Sequence, residues 1–205
     1  MSISIEIGIQ DAGVNARLEQ LFAGLTDRTE LHEAIGRDTL NLTRDYLTEI
    51  AQYRHKSAEA IGGTPTGFLS RAAEQTGMSA SPEAATVTIR SPGIGRVDHD
   101  VTITPTEGRQ WLTLPIAGIA YGRTVSQVQD MLGKRFFRPG SKANPKNVLA
   151  LGDGKGGLKL YFALVKSVFQ KQDRSLLPSD QAYKDAALKG VRSWLDYVLF
   201  WKEAA

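Results

Sequence analysis

Cysteine is absent from the 205 residues, which excludes disulfides and thiolate metal sites and suits a protein made in a reducing cytoplasm. No run approaches the ~20 apolar residues of a membrane-spanning helix, and the amino terminus lacks the basic and apolar regions of a secretion signal. The sequence therefore predicts a soluble protein with no membrane partner, not exported by the general secretory route. It has no internal repeat, no low-complexity tail and only three histidines.

Acids are missing from one stretch. Between Asp130 and Asp153 there is none, while Lys134, Arg135, Arg138, Lys142 and Lys146 fall in that gap. The net charge is only +3, yet residues 1–60 carry 6 Lys/Arg against 10 Asp/Glu and the remainder 19 against 12. Such a split fits a polyanion partner, or subunits that stack acidic end to basic end.

What is present is a core. Leu158–Gln170 (LKLYFALVKSVFQ) holds no Gly or Pro and is apolar on both alternating faces, which predicts one long strand buried on both sides. Ser179 and Asp180 then open a helix as N-cap and dipole-matched first residue. Its apolar stripe is Tyr183, Ala187, Val191, Trp194, Val198 and Trp201.

Upstream, Ile3, Ile5, Ile7 and Ile9 alternate with polar residues as a half-buried strand. Asp11 caps a short helix carrying Val14, Leu18, Leu21, Phe22 and Leu25, with Gly24 and Thr26 marking its end. Asp27 and Glu30 have capping-box spacing and open a longer helix with the stripe Leu31, Ile35, Leu42, Tyr46, Ile50 and Tyr53, ending near His55 or Ser57. The Gly/Pro-rich run 62–67 breaks the chain, and Phe68–Gln75 reads as one or two helical turns. Thr86–Arg90, Val97–Thr104 and Trp111–Leu114 read as an antiparallel meander, and Val125–Leu132 as a short helix. Gly152–Gly157 is a hairpin between Val148–Leu151 and the long strand. The prediction is one α+β domain over residues 1–205: an antiparallel twisted sheet packed by two N-terminal helices and a long C-terminal helix. An extended basic loop at about 133–147 interrupts it.

Candidate chemistry is sparse. The glycine hairpin with Lys155 lacks phosphate-loop spacing and precedes a strand instead of a helix. Asp98 and Asp100 on a strand face away from His99, so the three do not converge on a metal. His32 and His55 have no second ligand at i+4, and all three histidines read as solvated. Asp153-Gly154-Lys155 resembles half of a Mg²⁺-dependent nuclease core, but the nearest upstream acid, Asp130, falls in a helix. No Gly-x-Ser-x-Gly elbow occurs. Phe136 and Phe137 in the basic loop are expected to anchor it to the core, leaving its cations for phosphate or for a protein partner.

The order of short features resembles the Mu-like phage virion morphogenesis family, the tail completion proteins that finish the head-proximal end of a tail. The β start and two amphipathic helices are similar to the family's opening. Thr66-Gly67-Phe68-Leu69-Ser70-Arg71-Ala72 is similar to its Thr-Gly-x-Leu-x-x-Ser/Ala segment, followed by paired strands at Ala85–Ile89. Ile119-Ala120-Tyr121-Gly122 takes the place of its Tyr-Ala…Gly segment, and Leu176-Leu177-Pro178-Ser179-Asp180 that of its Pro-Phe-Leu-Gly-Leu-Ser-x-x-Asp ending. Arg174-Ser175 replaces the usual Arg-Pro, the His-x-Phe-Gly element is missing, and residues 122–157 are longer than in a typical member. The resemblance implies a structural virion protein without catalytic residues, metal or cofactor, made in the host cytoplasm. It implies a homo-oligomeric ring at the head–tail junction, touching connector and tail tube proteins and, non-specifically, packaged DNA. In such a ring Lys134, Arg135, Arg138, Lys142 and Lys146 are expected at the subunit interface or DNA channel, an extended arm reaching a neighbour's Asp38, Asp45 and Glu49. A Mg²⁺-dependent nuclease built on Asp153 and Lys155 and a nucleic-acid-binding accessory protein are the alternatives.

Overall fold

The computed structural model describes residues 12–54, 56–106, 108–140 and 146–201. The expected strand Ile3–Ile9, Asp11, His55 and Lys142 lie outside the described residues. The fold is α+β with antiparallel sheets. In chain order the helices are α1 (Ala12–Thr26), α2 (Thr29–Ala51), α3 (Lys56–Ala60), α4 (Phe68–Glu74), α5 (Val125–Leu132) and α6 (Asp180–Asp196). The strands are β1 (Thr76–Ala80), β2 (Ala85–Ile89), β3 (Val101–Ile103), β4 (Leu112–Pro115), β5 (Val148–Gly152), β6 (Leu158–Val165) and β7 (Val168–Gln170). Within the expected span the chain gathers into two compact units. The first comprises Met1–Arg44, Thr76–Arg90 and Pro178–Ala205; the second comprises Asp45–Gln75 and Ser91–Leu177.

Helices dominate the first unit. Ser179 caps α6 by accepting from the Ala182 amide at 3.2 Å, as the sequence predicts. At its far end Trp194 and Val198 are buried, and the helix closes in a π-helical turn, Tyr197–Trp201. Glycines set how closely the helices approach. A Cβ on Gly24 would stand 2.7 Å from Trp194 Cζ2, and one on Gly190 only 2.6 Å from Ile35 Cα. Gly24 therefore lies inside α1 as a packing residue; it does not mark the end of the helix. Asp27 Oδ1 holds the entrance to α2 by accepting from the Thr29 amide (3.1 Å) and hydroxyl (2.6 Å).

The buried face of α2 is displaced from the predicted stripe. Gly36, Thr43, Leu47 and Ile50 are buried, whereas Leu31, Ile35, Leu42 and Tyr46 are only half-buried and Tyr53, beyond the helix end at Ala51, is exposed. The reason is chemical. The Thr43 hydroxyl donates to Thr39 O at 2.8 Å, which satisfies it inside the helix, and Gly36 has no side chain to exclude. Hydrophobicity alone does not register either residue. Beside them, β1 pairs with β2 from Thr76↔Ile89 to Ala80↔Ala85, and Arg44 donates from Nη2 and Nε to Thr76 O at 2.6 and 3.2 Å.

The second unit is built on a three-stranded sheet in the order β4-β6-β5. Its inner face carries Tyr161, Phe162 and Leu151, covered by Val128 of α5 and by Ala120. A full capping box, Thr124 with Gln127, starts α5. Leu158–Gln170 is not one strand. It breaks at Lys166-Ser167 into β6, central in this sheet, and β7, which pairs with β3 in another. Of β6 only Tyr161, Phe162 and Leu164 are buried, because one face of the sheet lies open. Nor do the middle strands form a meander. β2, β3 and β4 belong to three different sheets, and Pro92–Val97 is a 3₁₀ turn.

Candidate functional site

The basic loop divides into parts with different fates. Phe136 anchors it, its ring 4.9 Å from that of Tyr161 and 5.7 Å from that of Phe162. Phe137 pairs through its backbone with Ala150 (3.1 and 3.0 Å) but is itself 46% exposed, so only one of the two phenylalanines is an anchor. Arg138 is tied inward: Nε donates to Lys146 O at 2.9 Å, a terminal nitrogen donates to Asn147 Oδ1, and the guanidinium lies 5.0 Å from the Trp111 ring centroid. The Lys146 amide donates to Pro139 O at 2.7 Å. The described flanks are thus pinned to the sheet and to each other, where the charge pattern predicts an extended arm. Lys134, Arg135 and Lys146 are exposed.

Sequence reasoning missed the centre of this cluster. Trp111 is half-buried and has a second cation, Lys166, 5.9 Å from its ring centroid. Beside it a cleft of ≈ 350 Å³ is lined by Ile103, Arg109, Trp111, Leu112 and Leu114 among others. Arg109-x-Trp111 was the available signal; Lys166 reaches the ring through the β4–β6 pairing, which local sequence does not announce.

A second cleft, of ≈ 520 Å³, is lined by Arg54, Arg71, Thr66, Phe68, Tyr121 and Leu176 among others, with no carboxylate among the described lining residues. Here two distant segments meet. The Thr66 methyl occupies the place a Cβ on Gly122 would take, at 2.5 Å, and Tyr121 Cβ the place of one on Gly63, at 2.7 Å. Arg71 donates to Thr66 O at 2.7 Å, while Arg54 pairs with Asp173 at 3.2 Å.

The remaining candidates separate. Asp98, His99 and Asp100 precede β3 instead of lying on a strand, all exposed, and Asp100 Oδ1 accepts from the Gln172 amide at 2.6 Å. His32 is only partly solvated: half-buried, its Nδ1 lies 2.7 Å from Ser81 O and donates to it, since a carbonyl only accepts. Among the described residues no three His, Asp or Glu side chains group to hold a metal ion.

Asp153 serves its own hairpin. Oδ1 accepts from the amides of Lys155 and Gly157, both at 2.8 Å, and these bonds hold its carboxyl below the ordinary carboxylate value of 3.8. A lowered carboxyl stabilises the hairpin above its unfolded pKa, and that contribution is lost as pH falls through the folded value, so the window lies below about pH 4. Amide exchange at Lys155 and Gly157, corrected for intrinsic rates, should accelerate in Asp153→Ala at neutral pH, with the fold retained. Equal protection in the variant would show that the carboxylate does not hold the turn.

Comparison of the chain with family models, with characterised proteins and with solved structures finds no match.

Proposed function

We propose that the chain is a structural virion protein of a tailed phage or prophage, acting in tail completion at the head–tail junction as an oligomeric ring around the DNA path. One observation carries this reading. Thr66–Ala72 and Ile119–Gly122, two of the internal segments that carry the family resemblance, lie about fifty residues apart in sequence and meet where Thr66 packs on Gly122. In such a protein the exposed cations Lys134, Arg135 and Lys146 supply a mildly basic surface, enough to attract phosphate without gripping it. Because Arg138 is committed internally, it belongs to the architecture of that surface rather than to its contacts.

Mass photometry of the full chain, followed by negative-stain electron microscopy, tests the reading. Particles of one fixed subunit number that average to closed rings are the expected result. A strict monomer at all concentrations would sink it, as would Mg²⁺-dependent DNA nicking lost in Asp153→Ala or Lys155→Ala.

A further inference from the structure

The open face of the β4-β6-β5 sheet is apolar along its length. Residues directly opposite on paired strands share a face. Leu114↔Ala163↔Val148 form one row and Leu112↔Val165 the next, all on the side away from Phe162 and Leu164. Past the bulge at Leu149/Ala150, Leu160 stands opposite Ala150, which is itself fully buried, and Phe137 pairs with Ala150 from the other edge. Leu114, Leu160 and Phe137 are 36%, 42% and 46% exposed. A cation borders this face: Arg109 lines the cleft that Leu112 and Leu114 also line. A continuous apolar face with a charged border is the anatomy of a protein interface.

The first unit carries the complement. On α1, Leu18, Phe22 and Leu25 fall within one narrow arc of the helix and are 45%, 67% and 47% exposed. The charges are opposed as well. From the sequence, the first unit holds 9 Lys/Arg against 12 Asp/Glu, net −3, and the second 16 against 10, net +6.

Resting on the ring reading, we propose that the open sheet face is a docking surface for α1 of another copy of this chain, with Phe22 entering the cleft beside Trp111. The contact is head-to-tail. Two different surfaces meet, so each copy keeps one of each kind and the assembly propagates, as a ring requires. Opposite net charge selects this pairing over like-with-like association of either surface. Of the acids expected to receive the basic arm, Asp38, Asp45 and Glu49, the first pairs with Lys189 at 3.0 Å within the chain.

Complementation decides it. Phe22→Asp and Leu114→Asp are made in the full chain, with Leu18→Asp and Leu160→Asp as second choices, and circular dichroism and melting confirm that each is folded. Each variant alone should be monomeric where the wild type assembles. Mixed one to one, they should form particles of twice the 22.4 kDa chain mass and nothing larger, since each retains the surface the other has lost. A mixture of folded variants that stays monomeric overturns the proposed contact, as does either variant assembling like the wild type or pairing with itself. If the wild type forms rings in those cases, the ring reading survives and only this interface is wrong. A wild type that never assembles removes both.

Discussion

Trp194→Ala should lose about 3–5 kcal/mol of stability, the range for truncating a core aromatic. Trp194 is 4% exposed, and its ring meets Gly24 of α1. The ring fills the space that a side chain on Gly24 would otherwise take, so alanine leaves a void that α1 cannot fill by rotating a side chain. Among the described residues its buried indole Nε1 has no hydrogen-bond partner, which separates shape from polarity. Trp194→Phe removes that donor together with part of the ring, and losing an unpaired donor offsets some of the lost packing. Denaturant unfolding should therefore place Phe much nearer to the wild type than to Ala. Equal losses for Phe and Ala would mean that the indole nitrogen contributes what the structure gives it no partner to contribute. An unchanged melting temperature for Ala would remove Trp194 from the core altogether.

The parts of the fold that were legible in sequence are those coded locally. Val125–Leu132 is helical over the predicted residues because Thr124 and Gln127 cap it and Gly133, at φ 61°, ends it. Ser179 starts α6, and Gly154 and Gly156, both at positive φ, turn the hairpin where their spacing places it. What was not legible is coded by partners far along the chain. β3 pairs with residues 168–170, and nothing near Val101 announces it. Lys166-Ser167 marks the change of sheet, but in the sequence it is a single polar step in an apolar run. β1, Thr-Gly-Met-Ser-Ala, has almost no apolar alternation and forms because β2 supplies the ladder. The same limit applied to the candidate site. The five cations were visible as charges, but that Arg138 turns inward to Trp111 depends on a tryptophan on β4's edge, which the loop's own sequence does not contain.

Of the helix glycines Gly24, Gly36 and Gly190, the last should be the most intolerant, and the argument is a competition of two effects. Glycine inside a helix costs about 1 kcal/mol relative to alanine, so Gly→Ala within α6 begins with a gain of that order. Against it stands the space. A Cβ on Gly190 would lie 2.6 Å from Ile35 Cα and 2.8 Å from Ala34 O, backbone atoms of α2 that no rotamer change can move. Overpacking of this kind costs about 1–3 kcal/mol when the surroundings yield, and more when they are backbone. The clash should win, giving Gly190→Ala a net loss of about 2 kcal/mol or more, with Gly190→Val worse because its branches meet the same backbone. Gly36 makes the control. A Cβ there meets the flexible end of Met78 at 3.1–3.2 Å and Ala85 Cβ at 3.3 Å, so Met78 can give way and the helix gain remains. Gly36→Ala is therefore expected within about 1 kcal/mol of the wild type. Chemical denaturation of the three variants, with far-UV circular dichroism to follow the helices, checks the order. If Gly190→Ala is as stable as the wild type while Gly36→Ala is not, α6 does not approach α2 at Gly190 and the packing of the first unit's helices described above is wrong.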